Sequence, residues 1–130
     1  MFLGRENVLY LINTSKVDLD KNIALEYLGN NVSLYNKLIR EYVYNYKTLD
    51  NEMIMYLEKR DYKNLYHKIH DIKGLSLYLG SKVLYEYGPY LSKNLIDYIS
   101  DEEINITLLE EIKLFIKYYK NYVNELEKSL

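Results

Sequence analysis

The 130-residue sequence contains no cysteine and no tryptophan, and it has only one proline and five glycines. The absence of cysteine excludes a disulfide framework, a thiolate metal site and a cysteine nucleophile. So few prolines and glycines leave little room for the tight turns of a β-rich fold. No apolar run approaches the ~20 residues of a membrane span, and the first residues lack the pattern of a signal peptide. We therefore expect an α-helical, cytoplasmic protein without a membrane partner.

The charges of the chain are nearly balanced. Seventeen Lys and Arg residues and nineteen Asp and Glu residues give a formal net charge of -2. This value gives no electrostatic reason to expect nucleic acid as a partner. The hydrophobic content of 48% is sufficient for one packed core. Seventeen tyrosines accompany only two phenylalanines, and we interpret them as a composition bias, with most rings at the edge of the core and their hydroxyls in water.

Apolar residues recur at helical spacing through most of the chain. Short connections between amphipathic helices favour an all-α fold, an antiparallel up-down four-helix bundle with an additional short N-terminal helix. We assign residues 17–130 to this domain and residues 1–16 to an N-terminal segment whose packing the pattern does not define. The predicted helices cover 20–28, 33–59, 61–80 and 82–99, and a last one begins after Thr107.

Polar residues and one proline suggest where these helices begin and break. Ser33 and Asp61 are predicted N-caps, and Thr107 with Glu110 forms a predicted capping box. Pro89 is expected to kink or break its helix, because its ring collides with a carbonyl oxygen of the preceding turn.

The helix predicted over 61–80 turns one histidine outward. At 100° per residue, His70 lies roughly 140° from the centre of the apolar stripe, so its side chain points to solvent. Gly74 is destabilising in mid-helix by roughly 0.5–1 kcal/mol relative to alanine, but it leaves space beside His70 for another molecule. Lys73 can reach a group attached to the imidazole and offset its negative charge. The other residues of this exposed face are Lys63, Tyr66, His67 and Leu77, of which Leu77 is apolar and suits docking of a partner.

Residues 70–80, HDIKGLSLYLG, resemble the signature of histidine-phosphotransfer (HPt) domains, H-x-x-K-G followed by a further glycine. The resemblance extends over about residues 17 to 128. It implies a phosphorelay intermediate, in which His70 accepts a phosphoryl group from the aspartyl phosphate of a response-regulator receiver domain and passes it to another receiver. Lys73 is then the charge partner and Gly74 the clearance position.

The resemblance also implies what the chain itself does not supply. Mg²⁺ and the catalytic carboxylates belong to the partner receiver, so we expect no cofactor and no metal site in this chain. The domain is expected to be a phosphoryl carrier and not an enzyme. A hybrid sensor histidine kinase is a further candidate partner. Because a neutral imidazole must attack, transfer should slow as His70 becomes protonated.

Three other interpretations remain open from the sequence. A sensor-kinase dimerisation helix also carries a histidine followed by an acidic residue, but Gly74 and Leu75 stand where that motif has Thr or Asn and then proline. A helical bundle that docks a receiver or other partner without transfer is the second. A metal site using His67 and His70 is the third, and it lacks a matched Glu-x-x-His pair on another helix.

Overall fold

The computed structural model describes residues 10, 12–13, 16–100 and 103–130, without the side chains of Leu75 and Leu77. Across these ranges the chain is all-α and contains no strand, which confirms the predicted fold class. No helix in the described part of the chain is long and apolar enough to cross a bilayer. The helices are α1 (Lys21–Tyr27), α2 (Val32–Tyr46), α3 (Leu49–Glu58), α4 (Tyr62–Leu79), α5 (Lys82–Leu95) and α6 (Ile106–Lys128), with a 3-10 turn at Ile96–Tyr98.

The segment assigned to residues 1–16 lies mostly outside the described residues. Within it, Ile12 is buried and belongs to the hydrophobic core. At least this part of the segment therefore packs against the helical domain.

Two helices begin at an aspartate: Asp61 is a predicted cap, and Asp20 is the residue at which the first helix is predicted to begin. The Asp20 carboxylate accepts hydrogen bonds from the backbone N–H groups of Asn22 and Ile23 at 3.0 and 3.3 Å and caps α1. The Asp61 carboxylate accepts from the side chain of Asn64 at 2.7 Å and from its backbone N–H at 3.2 Å. Those two hydrogen bonds lower the pKa of Asp61, because they stabilise its charged form.

The other two predicted caps are wrong. α2 is capped by Asn31 and not by Ser33, since the Asn31 side chain accepts from the first turn at 3.0 Å. α6 is capped by Asn105 and not by Thr107, whose backbone N–H donates to the Asn105 side chain at 2.8 Å. In both cases an asparagine two residues earlier caps the helix, so the helix begins before the predicted position.

The helix predicted over 33–59 is two helices. Lys47 and Thr48 form a turn between α2 and α3, and Thr48 makes no side-chain capping bond. Both helices contact α6. The turn redirects the chain so that α3 buries Leu49 and Met53 in the same core as α2.

Pro89 does not break α5, which runs without interruption from Lys82 to Leu95. α5 packs against both α4 and α6. Proline in a helix interior costs about 3 kcal/mol or more, and burial of several large side chains offsets that loss. The buried residues of α5 are Val83, Leu84, Tyr87, Gly88, Leu91, Ser92 and Leu95.

α4 and α5 form an antiparallel hairpin closed by Gly80 and Ser81. Midway along it, the backbone oxygen of Ile69 lies 3.7 Å from the position that a Cβ atom on Gly88 would take. The two helices therefore approach each other closely at the middle of α4.

Residues 18–20, just before α1, are hydrogen-bonded to the turn of this hairpin. The backbone N–H of Asp20 donates to the carbonyl oxygen of Gly80 at 2.9 Å. The Asp18 carboxylate accepts from the first two backbone N–H groups of α5, those of Lys82 and Val83, at 2.8 and 2.9 Å. It also accepts from the hydroxyl of Tyr118 on α6. Residues 18–20 therefore connect the turn between α4 and α5, the first turn of α5, and α6.

The core contains tyrosines whose hydroxyls are bonded inside the protein. The hydroxyls of Tyr42 and Tyr119 lie 2.7 Å apart, and that of Tyr122 donates to the carbonyl oxygen of Leu79 at 2.5 Å. Burial raises the pKa of all three tyrosines, because the charged phenolate is disfavoured away from water. For these residues the expectation of rings at the core edge with hydroxyls in water is wrong.

Candidate functional site

α4 presents His70 on the side opposite to its buried residues. The buried positions recur at helical spacing, so the histidine between them faces solvent and is exposed, as the sequence predicts. The helix itself is fixed by the Asp61 cap and by its contacts with α5, α1 and α3. The buried residues that set its orientation are Tyr62, Leu65, Ile69, Ile72, Ser76 and Leu79.

The residues predicted to share the face of His70 are placed as follows. Lys63, His67, Lys73 and Gly74 are exposed, and Tyr66 is half-buried. The side chain of Leu77 lies outside the described residues, so its docking role stays a prediction.

Gly74 leaves open space one turn after His70. A Cβ atom built on Gly74 would meet no other atom within 4 Å. The packing of this chain therefore does not require glycine at this position, although glycine weakens the helix. The space is available to a molecule that approaches the histidine from outside.

The ring of Tyr66 contacts both histidines of the chain. It stacks on the His70 imidazole with ring centroids 5.8 Å apart and an interplanar angle of 16°. It meets the His67 imidazole edge-on, with centroids 5.3 Å apart and an angle of 70°. The two imidazoles thus flank one aromatic ring.

His70 lies on the wall of an open depression of about 540 Å³ formed by α1, α4 and α5. Two exposed tyrosines, Tyr27 of α1 (55% exposed) and Tyr78 of α4 (40% exposed), meet edge-on there with centroids 6.2 Å apart. Exposed aromatic side chains are common anchors in protein interfaces. The lining residues are Tyr27, His70, Asp71, Lys73, Gly74, Tyr78 and Tyr85.

Lys73 is held beside this depression by an aromatic ring. Its ammonium lies 5.6 Å from the centroid of the Tyr85 ring, in a cation–π contact between α4 and α5. The contact keeps a positive charge on the wall of the depression that His70 also lines.

Sequence reasoning missed four residues of the depression. Tyr78 follows His70 by eight positions, so the helical period could have placed it on the same side of α4. Asp71 directly follows His70, and the sequence pattern gives it a role only in the sensor-kinase motif. Tyr27 and Tyr85 belong to other helices, and the periodicity of α4 carries no information about them.

Within residues 16–100 and 103–130, no three His, Asp or Glu side chains converge as metal ligands. The depression combines an exposed imidazole, a lysine ammonium and aromatic rings.

No family model and no solved structure matches this chain. The chain is similar to an uncharacterized protein of Methanocaldococcus jannaschii, with 41% identity over 59 residues. The matched stretch is 45% of this chain and 53% of that protein, so the chain spans about half the length of the curated relative it matches. The description of the relative names no activity.

Proposed function

We propose that this chain is a histidine-phosphotransfer domain that carries a phosphoryl group on His70 between receiver domains. One observation carries the proposal: an exposed histidine on a well-fixed helix has open space at Gly74 and a lysine at Lys73. An accessible imidazole, a clearance for the donor and a cation are what in-line transfer between two proteins requires.

The reaction uses the lone pair of the neutral imidazole. A ring nitrogen of His70 attacks the phosphorus of an aspartyl phosphate on a receiver domain. The new N–P bond forms as the P–O bond to the aspartate breaks, and the carboxylate leaves with the electron pair. The reverse reaction on a second receiver returns the histidine. Because the receiver supplies Mg²⁺ and its own carboxylates, this chain acts as a carrier and not as an enzyme.

Lys73 supports the phosphorylated state. A phosphoryl group carries about -1.5 to -2 charges near neutral pH, and an ammonium one helical turn away offsets part of them. Its cation–π contact with Tyr85 keeps the ammonium near the site before the phosphoryl group arrives. That contact is worth about 0.5–1 kcal/mol at an exposed position, so it is weak enough to be exchanged for the phosphoryl group.

The proposed fold of this domain is an antiparallel up-down four-helix bundle with α1 as an additional short helix. Contacts between helices support it, because α3 contacts α4, α4 contacts α5, α5 contacts α6, and α6 returns to α3. α2 also contacts α6, and α1 packs on α4. A closed cycle of four helices is expected of such a bundle.

Partners of the proposed kind would dock on the His70 side of α4. Response-regulator receiver domains are the expected partners, and a hybrid sensor histidine kinase is a further candidate. The exposed rings of Tyr27 and Tyr78 offer apolar contact area, and Lys63 and Lys73 offer positive charge.

Phosphotransfer in vitro tests the proposal. The chain is mixed with several receiver domains that have been charged with acetyl phosphate and Mg²⁺, because docking is selective. We expect acid-labile, base-stable label on the chain. His70→Gln should abolish the label, whereas His67→Gln, a matched change at the neighbouring exposed histidine, should retain it.

A bundle that docks a receiver or other partner without transfer is the alternative. It is favoured by the exposed Tyr27–Tyr78 pair, which suits docking whether or not His70 is phosphorylated. Binding of uncharged receivers with no label from any charged receiver would support this alternative. Label that survives His70→Gln would contradict both proposals.

A further inference from the structure

The aromatic ring of Tyr66 stacks on the His70 imidazole. Tyr66 lies one turn before His70 on α4 and is half-buried against the core. Its stacking on His70 is nearly parallel, at 16°, with centroids 5.8 Å apart. A ring that the core holds in place therefore provides a fixed wall for a ring that is otherwise exposed to solvent.

We propose that Tyr66 is a positioning residue that holds the His70 imidazole in one orientation for transfer; this inference rests on the function proposed above. On a helix, a histidine has two favoured χ1 rotamers, and its χ2 torsion is broad and roughly two-fold. An exposed ring thus samples about four orientations. If one of them presents the nucleophilic nitrogen to the donor, fixing it raises the reactive population up to about fourfold.

The aromatic ring, and not the hydroxyl, carries this role. The stacking with His70 and the edge contact with His67 both involve the ring of Tyr66. Phenylalanine keeps that ring with the same two torsions. Leucine keeps much of the apolar volume against the core but provides no flat surface for the imidazole.

Two phosphoryl donors distinguish an effect on the orientation of the His70 ring from an effect on its exposure. A receiver domain docks in one geometry, so transfer from its aspartyl phosphate depends on where the His70 nitrogen points. Phosphoramidate is a small donor that diffuses freely and can meet the nitrogen in any exposed orientation. With it the N–P bond to His70 forms as the P–N bond of phosphoramidate breaks and ammonia leaves.

The test compares the wild type, Tyr66→Phe and Tyr66→Leu with both donors. For Tyr66→Leu we expect transfer from a charged receiver to slow about three- to fourfold, with little change in phosphorylation by phosphoramidate. Tyr66→Phe should match the wild type with both donors. Equal receiver rates in the wild type and Tyr66→Leu, or equal slowing with both donors, would overturn the proposal.

Nuclear magnetic resonance of the His70 ring gives a readout that needs no partner. Side-chain couplings should report one dominant rotamer in the wild type and in Tyr66→Phe, and averaging over several in Tyr66→Leu. Averaged couplings in the wild type would overturn the positioning role. A single rotamer together with no label from any receiver would instead contradict the proposed phosphotransfer. If Tyr66→Leu fails to fold by circular dichroism, Tyr66→Met replaces it with the same expectations.

Discussion

The hydroxyl of Tyr42 on α2 lies 2.7 Å from the hydroxyl of Tyr119 on α6, in the buried core. The Tyr119 hydroxyl also donates to the backbone oxygen of Tyr46 at 3.3 Å. The bonds therefore run from Tyr42 to Tyr119 and on to the backbone of α2. This chain of bonds holds only while both phenols keep their protons.

Stability is expected to fall at alkaline pH. Burial raises the pKa of Tyr42, Tyr118, Tyr119 and Tyr122 above that of an unfolded tyrosine. Their contribution to the free energy of unfolding is therefore complete below about pH 10 and decreases as the pH rises above the unfolded value. Each such tyrosine should lower this free energy by about 1.4 kcal/mol per pH unit above that point. Urea unfolding at pH 8 and at pH 11 measures the difference.

Two matched variants check the origin of this effect. Tyr119→Phe removes one buried phenol and should weaken the alkaline loss of stability. Tyr44→Phe removes a phenol that is 89% exposed and should leave the pH dependence unchanged. The same pH dependence in all three proteins would show that the buried phenols are not responsible.

Gly80→Ala should be strongly destabilising. Gly80 has a φ of +85°, and a Cβ atom there would collide with the backbone oxygen of Asp20. Gly29→Ala is the control, because Gly29 has a φ of +63° but no atom within 4 Å of its added Cβ. The left-handed backbone alone costs an alanine roughly 1–2 kcal/mol. Because of this overpacking, we expect the free energy of unfolding to fall by at least about 2 kcal/mol more in the Gly80 variant than in the control, measured by urea unfolding. Equal losses would mean that the backbone at Asp20 shifts to make room for the methyl group.

Asp18→Ala should destabilise the fold by about 2–3 kcal/mol, measured by thermal or urea unfolding. The Asp18 carboxylate accepts hydrogen bonds from the side chain of Ser81 at 2.9 Å and from backbone N–H groups in the first turn of α5. Alanine removes the acceptor of these hydrogen bonds. Asp97→Ala, at an exposed aspartate after α5, should change stability by less than about 0.5 kcal/mol. A small effect of Asp18→Ala would mean that water replaces the carboxylate at this helix end.

Gly74→Ala should separate stability from transfer. Alanine meets no atom at this position and improves helix propensity, so the free energy of unfolding should rise by about 0.5–1 kcal/mol. Transfer from a charged receiver to His70 should nevertheless slow, because the methyl group occupies the space beside the histidine. A more stable protein with undiminished transfer would contradict the clearance role of Gly74.

The helical period of apolar residues predicts the all-α fold class and the outward side of α4. Both follow from the spacing of residues within individual helices. Helix ends were harder to predict. Asn31 and Ser33 both can cap a helix, as can Asn105 and Thr107, and local pattern does not choose between them.

Tertiary packing decided the features that local rules missed. The turn at Lys47 and Thr48 contains neither glycine nor proline, so no residue marks it. Pro89 is tolerated because α5 is packed between α4 and α6. The depression beside His70 likewise depends on Tyr27 of α1 and Tyr85 of α5, which the periodicity of α4 cannot place. The functional role of His70 remains a prediction.

The bonded hydroxyls of the core also constrain how α6 can slide. Leucine or phenylalanine would pack acceptably after a shift of one turn, since apolar contact has no direction. After such a shift, the hydroxyls of Tyr119 and Tyr122 would lose their hydrogen-bond partners. Each buried hydroxyl without a partner would destabilise the fold by about 1–3 kcal/mol. Among the described residues, no buried side-chain nitrogen or oxygen lacks a partner in the register observed. A core rich in phenols thus discriminates between neighbouring helix registers, and it protects the alignment of α4 on which the exposure of His70 depends.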